Sequence, residues 1–252
     1  MRVNRKLWTA ATVCVAVAAG VTGCSQGGDD KPADPFAGLT ADAIAEKSVQ
    51  ATKKATSFRM NGTGKTDGKD MTVTFSLSDK GVCTGTMAGA GAGKAEIRRV
   101  DGVTYMKGDD AFWRASSGAE GDEANAMTAL LKGRWMKMPS EGDDNDMGAF
   151  CDLKTVVKDM DEDDKERKGL TRGADADVDG APAVTLTKKG TKDETTTFYV
   201  ARDAAKPYIL RVVKTGGDEP GTVTLGEYDK PVTVTAPPAD QVVDMAQLAG
   251  AS

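Results

Sequence analysis

The side chains with the most distinctive chemistry in this sequence are four thiols, Cys14, Cys24, Cys83 and Cys151. A thiol can act as a nucleophile, bind a metal ion, form a disulfide or carry a covalent modification. The sequence contains no histidine, which removes the usual general base, the commonest zinc ligand and every Ser-His or Cys-His pair. We therefore expect no catalytic residue, no metal site and no cofactor, and a chain that is not an enzyme.

Two acidic runs have part of the spacing of a calcium-binding loop. Residues 175–180 read Asp-x-Asp-x-Asp-Gly, but the twelfth position is Leu186 instead of glutamate, and Pro182 interrupts the pattern. Residues 159–163 carry three aspartates at the same spacing without the glycine. We interpret the first run as a turn between strands and the second as the solvated end of a helix.

The segment before Cys24 has the order of a secretion signal. Three basic residues lie within the first six, and residues 8–21 form a small, mostly apolar run that is short for a membrane span. The tetrapeptide Val21-Thr22-Gly23-Cys24 resembles the lipobox of bacterial lipoproteins. The resemblance implies diacylglycerol transfer to the Cys24 sulfur, cleavage before Cys24 and acylation of the new amino terminus. An ordinary secretory signal with a chance cysteine is the alternative.

These features divide the chain into three parts. We expect a lipoprotein signal peptide over residues 1–23, a flexible Gly-, Asp- and Pro-containing tether over residues 24–38 and one domain over residues 39–252. Because each buried methylene contributes about 0.8 kcal/mol, two or three acyl chains on Cys24 would hold that domain firmly at a bilayer. The expected location is extracytoplasmic, lipid-anchored to the outer face of the cell membrane.

The charge of the chain limits its partners. Residues 1–23 hold three of the 33 basic residues and none of the 38 acidic ones, so their removal changes the formal net charge from −5 to −8. Such a surface repels phosphates, which argues against nucleic acid and against anionic lipid head groups as electrostatic partners. Attachment to the membrane must then come from the acyl chains on Cys24.

Signal removal and acylation leave Cys83 and Cys151 as the remaining thiols. Two cysteines far apart in sequence, in an oxidising exterior, indicate a disulfide, which could contribute about 4 kcal/mol by the loop-entropy estimate. Two buried free thiols are the alternative.

The hydrophobic pattern predicts one leading helix followed by many strands. Thr40 is a suitable N-cap for a helix that extends to about Thr56, and residues 71–77 alternate apolar and polar side chains as a half-buried strand does. Asp101-Gly102 and Asp179-Gly180 favour tight hairpin turns. Further strands are predicted at 82–87, 94–100, 103–107, 111–115, 170–178, 183–187, 195–202, 208–214, 221–227 and 232–235.

A helical insert interrupts these strands. Residues 123–131 and 147–160 show helical spacing, with a brief extended piece at 134–138 between them. Strands on either side of two helices, plus a leading helix, indicate an α+β domain with an antiparallel sheet.

This order of elements is similar to that of the LolA-like carriers and the LppX/LprG lipoproteins. Local matches are Ala55–Met60 after the leading helix, Val100–Tyr105, Val178–Gly180 and the closing Pro237–Asp240. The resemblance implies a strongly curved half-barrel, with an N-terminal helix and a helical lid on the concave apolar face, that can hold an acyl chain.

The alternating apolar residues of the strands would line such a cavity. They are Met71, Val73, Phe75, Leu77, Val184, Leu186, Phe198, Val200, Val223 and Leu225. If the helices fit tightly, the same residues form only a core. Trp113 and Trp135 suit either the rim of an opening or the core.

The leading hypothesis is a lipid-anchored binding or carrier protein for a hydrophobic, lipid-like ligand. The alternative is a cell-envelope sensor or interaction lipoprotein of the same fold, with a filled core and a protein partner.

Overall fold

The fold is organised around one large sheet. A computed structural model of the chain describes residues 33–66, 68–118, 121–138, 151–162, 167–191 and 193–249. The strands are β1 (Ser57–Thr66), β2 (Lys69–Ser78), β3 (Cys83–Gly89), β4 (Gly93–Val100), β5 (Val103–Gly108), β6 (Trp135–Lys137), β7 (Thr171–Arg172), β8 (Ala176–Val178), β9 (Ala181–Lys189), β10 (Thr195–Ala201), β11 (Ile209–Thr215), β12 (Gly221–Gly226) and β13 (Val242–Asp244).

The described helices are few and mostly short. They are α1 (Ala41–Lys53), α2 (Asp110–Ser116), α3 (Gly121–Leu131), α4 (Leu153–Glu162) and α5 (Met245–Ala249), with a 3-10 turn at Ala239–Gln241. Thr40 caps α1 as predicted, because its hydroxyl accepts the Ala43 N–H at 3.2 Å and satisfies a donor that the helix leaves unpaired. The helix ends at Lys53, three residues earlier than expected.

The strand order is β13-β6-β5-β4-β3-β2-β1-β12-β11-β10-β9-β7, and β8 pairs with the other part of β9. Within the described strands, β13 and β6 form the one parallel pair, and every other pair is antiparallel. The sheet is not closed, since β13 and β7 lie at opposite ends. The predicted fold class is confirmed: an α+β fold with an open, largely antiparallel half-barrel and a few helices.

The register aligns side chains in rows that cross the strands, because residues opposite each other in a pair lie on the same face. Three neighbouring rows occupy one face, and we call them the inner, middle and rim rows. The inner row is Val243, Met136, Met106, Ile97, Gly85, Phe75, Met60 and Leu225. The middle row is Ala95, Met87, Val73, Gly62, Val223, Val212, Phe198 and Leu186. The rim row is Gly89, Met71, Gly64, Gly221, Lys214, Thr196 and Lys188.

The helices cover the face that carries these rows. One core cluster joins Val49 of α1, Phe112 and Trp113 of α2, Leu131 of α3 and Val157 of α4 to the inner row. Fully burying a side chain of this kind contributes roughly 1.5–3 kcal/mol, so the covered face holds most of the driving force for folding. The opposite face of β1 and β12 is polar, with Arg59, Asn61, Thr63, Thr222 and Thr224.

A second cluster packs the start of α1 against β9 and β10. It contains Phe36, Ile44, Ala45, Leu170, Val184, Leu186 and Val200. Phe36 is 2% exposed, and the carboxylate of Asp34 pairs with Arg172 at 2.7 Å. The predicted tether over 24–38 therefore differs from the structure in its last five residues, since Asp34–Ser252 forms one compact unit. Burial of the Phe36 ring is the physical reason.

Two predicted strands are wrong. Residues 111–115 lie in α2, because Asp109 caps a helix there by accepting the Phe112 N–H at 2.7 Å. The neighbouring residues Phe112 and Trp113 are both buried, which suits a helix and not an alternating strand. Residues 232–235 belong to no strand, and the last strand is β13. The predicted strand over 170–178 is two short strands, β7 and β8.

Both Asp-Gly turns are confirmed. Asp101 and Gly102 have φ angles of +53° and +75°, and Asp179 and Gly180 have +53° and +86°. These left-handed angles at consecutive residues are those of a type I′ hairpin turn. In the second turn, the Asp177 carboxylate accepts the Gly180 N–H at 2.6 Å, so part of the acidic run stabilises a turn as predicted.

Candidate ligand-binding groove

Two adjoining cavities lie over the middle and rim rows. One has a volume of about 480 Å³ and the other about 320 Å³, and both are bordered by Val212, Lys214 and Val223. We call the two together the groove. Cavities of this size are typical of small-ligand sites.

The floor of the groove consists of middle-row side chains that remain partly exposed. Val73, Val212, Val223 and Phe198 are half-buried, whereas the inner-row residues Phe75 and Leu225 are buried. Gly62, between Val73 and Val223 in the middle row, leaves space for the Val73 side chain. A Cβ built on Gly62 would lie 2.7 Å from Cγ2 of Val73. An apolar molecule resting here would remove these side chains from water.

Helix α1 forms part of the wall of the larger cavity. Val49 of α1 and Ile209 of β11 both border the cavity. The Thr52 hydroxyl accepts the Ile209 N–H at 3.2 Å in a buried position, which fixes the helix to the sheet beside the cavity. A buried hydrogen bond of this kind costs about 1–3 kcal/mol to leave unmade, so it resists separation of α1 from β11.

Charged and hydroxyl groups form one end of the larger cavity. Lys214 and Thr196 belong to the rim row, and the Lys214 ammonium pairs with the Glu194 carboxylate at 3.2 Å. Glycines position this carboxylate: a Cβ built on Gly217, where φ is +67°, would lie 2.8 Å from Glu194 Oε2, and one on Gly190 would lie 3.3 Å from Oε1. The glutamate therefore packs closely on two turns and points toward Lys214.

Arg167 is the second cation that borders this cavity. It is 7% exposed, and its Nε lies 3.5 Å from Oε2 of Glu46 on α1. The chain that follows it is tied to α1 by Asp42, whose carboxylate accepts the Leu170 N–H at 2.9 Å and the Gly169 N–H at 3.1 Å. These two bonds hold the pKa of Asp42 below its usual value.

The ten predicted lining residues divide between the groove and the core. Those that border the groove are Met71, Val73, Phe198, Val223 and Leu225, of which Leu225 is also buried in the first core cluster. Those that are buried in the two core clusters are Phe75, Leu77, Val184, Leu186 and Val200. The Phe75 ring lies against Gly85 of β3, where any Cβ would overlap it. A ligand role for each of the ten remains a prediction.

Several groove residues were not predicted from the sequence. They are Val49, Met60, Gly62, Gly64, Arg167, Glu194, Thr196, Ile209, Val212, Lys214 and Gly221. In β11, Val212 and Val213 are adjacent, so alternation alone does not say which of them faces the helices. Arg167 lies outside any strand. The backbone that follows it is held by the Asp42 carboxylate, and sequence spacing does not reveal this contact.

Cys83 and Cys151 form a disulfide, with Cα atoms 5.3 Å apart. Cys83 begins β3, and Cys151 lies two residues before α4, so the bond fixes the start of that helix to the covered face. Cys24, the predicted site of lipid attachment, lies outside the described residues, as do Met147 and Phe150 of the predicted second insert helix.

Both tryptophans belong to the core and not to a rim. Trp113 and Trp135 are 4% and 3% exposed. The Arg98 guanidinium stacks over the Trp135 ring, with 4.4 Å between Cζ and the ring centroid.

A larger depression of about 720 Å³ lies elsewhere, beside α2. Most of its lining residues are charged, including Lys94, Glu96, Lys107 and Asp110. Across the described ranges, no group of three or more metal-ligating side chains is placed to hold an ion. None of the helices in those ranges is long and apolar enough to span a membrane.

Comparison with known proteins relates this architecture to solved structures. No protein-family model matches the sequence, and no curated protein matches it. The crystal structure of LprF from Mycobacterium bovis matches with a TM-score of 0.52 at 15% identity, covering 78% of this chain and 96% of LprF. The chain has the fold of LprF. The resemblance to LppX/LprG lipoproteins is thus confirmed at the level of fold.

A second solved structure matches less closely. The lipoprotein LppX from Mycobacterium tuberculosis gives a TM-score of 0.47 at 14% identity, covering 77% of this chain and 98% of LppX.

Proposed function

We propose that this chain is a lipid-anchored extracytoplasmic binding or carrier protein for a hydrophobic, lipid-like ligand. The observation that carries the proposal is the 480 Å³ cavity, whose apolar side chains continue into a second cavity along the same rows. The groove would act by excluding water from the ligand and not by chemistry, so the role is that of a binding protein and not of an enzyme.

The energetics of the floor support this role. Val73, Val212, Val223 and Phe198 are half-buried, so part of their apolar surface still contacts solvent. Each square ångström of apolar surface removed from water contributes roughly 25 cal/mol, and both ligand and floor lose such surface on binding. The charged end near Lys214 would orient a ligand that has one polar end.

The membrane attachment in this proposal comes from the N-terminal sequence. Residues 1–23 are the proposed signal peptide, and Cys24 is the proposed site of the acyl chains. The folded unit begins at Asp34, which leaves about ten residues as a tether between the lipid and the groove.

A paired substitution on β11 tests the proposal. Val212 borders the groove, whereas Val213 is also half-buried but faces the opposite side of the sheet. We expect Val212→Trp to fill the groove and reduce uptake of a fluorescent fatty acid at least about tenfold, which is the loss of about 1.4 kcal/mol of binding free energy. Val213→Trp is the matched control and should bind as the wild type does.

The measurement uses a form that starts at Ser25 and keeps the whole unit Asp34–Ser252. Uptake is followed by the rise in probe fluorescence, and thermal unfolding verifies that both variants fold. Equal uptake by the two variants would place the probe outside the groove and contradict the proposal. Absence of uptake by the wild type would favour the envelope sensor or interaction protein instead.

A further inference from the structure

The larger cavity brings two cations to the edge of an apolar floor. Arg167 is 7% exposed, and the Lys214 side chain is 39% exposed; both border the cavity together with Val212 and Phe198. A cation placed at the edge of an apolar floor can recognise an anion there, since charge-assisted hydrogen bonds are roughly twice as strong as neutral ones.

Acidic side chains lie next to both of these cations. Glu194 faces Lys214, Glu46 faces Arg167, and Asp42 binds the backbone after Arg167. Lys188 follows Thr196 along the rim row. Glu194 borders the cavity itself, and Glu46 lies 3.5 Å from the Nε of Arg167, so each of the two cations has a carboxylate partner.

The groups that act on a bound anion are those close to the cavity, and the net charge of the whole chain has little effect there. Charges farther than about 8 Å are largely screened at physiological ionic strength, so Lys214, Arg167 and their carboxylate partners determine the local balance. An anionic headgroup can replace one of these carboxylates as the partner of a cation. The larger cavity, at about 480 Å³, is within the range of sites that hold one small ligand.

We propose that the groove binds a single-chain amphiphile with an anionic headgroup, a carboxylate or a phosphate, which Lys214 and Arg167 recognise. This inference rests on the proposed function and adds the class of ligand. The acyl chain lies along the middle row, and the anion faces the two cations. Glu194 holds Lys214 while the groove is empty and competes with the incoming anion for it.

The test measures displacement of Nile red, a neutral dye, from the form that starts at Ser25. The competitors are palmitate, hexadecyl phosphate and hexadecanol, which share an acyl or alkyl chain of the same length and differ in headgroup. For the wild type we expect either anion to displace the dye at a concentration roughly 10- to 100-fold lower than hexadecanol does, as hydrogen bonds to charged groups predict.

Three substitutions identify the groups responsible. Lys214→Gln should remove most of the advantage of the anion over hexadecanol, and Arg167→Gln should act similarly if the variant folds. Lys189→Gln is the matched control, because Lys189 neighbours Lys188 in β9 but lies on the opposite face. Glu194→Gln should tighten anion binding several-fold, since it removes the competing carboxylate.

The outcomes separate this inference from the proposed function. A preference for only one of the two anions supports the inference and identifies the headgroup. Equal displacement by palmitate, hexadecyl phosphate and hexadecanol, or an equal effect of Lys214→Gln on all three, overturns the inference while the proposed function stands. If Nile red does not bind and no competitor binds directly, the proposed function itself fails.

Discussion

Asp229 connects three segments of the chain through one carboxylate. It accepts hydrogen bonds from the Tyr208 hydroxyl at 2.7 Å, the Thr56 N–H at 3.0 Å and the Lys206 ammonium at 3.2 Å. The bond from Tyr208 is the largest cause that lowers the pKa of Asp229 to about 2. Burial and the same carboxylate raise the pKa of Tyr208 to about 12. The cluster holds together the backbone at Thr56, just after α1, the residue before β11 and the loop after β12.

Replacing Asp229 by Asn should lower the free energy of unfolding at pH 7 by about 1–2 kcal/mol, because hydrogen bonds to a charged group are lost. A depressed carboxylate pKa contributes stability above the ordinary value near 3.8, and this contribution disappears as pH falls toward about 2. The difference between variant and wild type should therefore shrink between pH 4 and pH 2. Urea unfolding at several pH values measures it.

The control for this substitution is Asp240→Asn, which removes an exposed carboxylate. It should change stability by less than about 0.5 kcal/mol at any of these pH values. A loss at Asp229 that stays constant down to pH 2 would show that the charge of its carboxylate is not the cause.

Single residues also mark the limit of what sequence can predict about the groove. Alternation correctly indicates that Val73 and Val223 share a face, since the strand period is two. It does not distinguish Val223, which borders the groove, from Val200, which is fully buried, because both have the same pattern. The difference depends on how closely α1 packs above each of them.

At the scale of elements, the disulfide joins α4 to the sheet. Cys83 and Cys151 are both fully buried, and Leu153 and Val157 of α4 belong to the same core cluster. The bond closes a segment of 68 residues, for which loop entropy predicts about 4 kcal/mol of stabilisation.

The double variant Cys83→Ala, Cys151→Ala should lower the free energy of unfolding by about 2–5 kcal/mol relative to the oxidised wild type. Guanidinium unfolding with and without reductant measures the loss. Reductant should destabilise the wild type and leave the double variant unchanged, which controls for other effects of the reagent. A wild type whose midpoint does not move when a thiol assay confirms reduction would contradict this stabilising role.

Most elements could be predicted, and the exceptions have physical causes. The Asp-Gly turns and the alternating strands follow from local chemistry, so β2 to β5 lie close to the predicted positions. The sequence pattern does not reveal helix α2, because the local signal for that helix is the cap at Asp109. Strand β13 is three residues long and pairs in parallel with β6 across 107 residues of sequence, which no local pattern encodes.

At the scale of the whole molecule, the sequence pattern predicts an α+β domain with an antiparallel sheet, the family resemblance implies a half-barrel, and the structure agrees with both. The number and type of elements were sufficient to predict the class. The groove could not be predicted, because a cavity arises from imperfect filling between α1 and the middle row. Composition and periodicity are the same for a filled core and for a binding site.

The measurement that tests the central claim most directly is the native mass of the form that starts at Ser25, secreted by a lipid-containing bacterial host and kept free of detergent. The account predicts an adduct of one lipid-like molecule per chain that disappears after extraction with organic solvent, while the chain remains able to take up fatty acid. A protein that is repeatedly free of adduct, and that binds no added fatty acid, would contradict it.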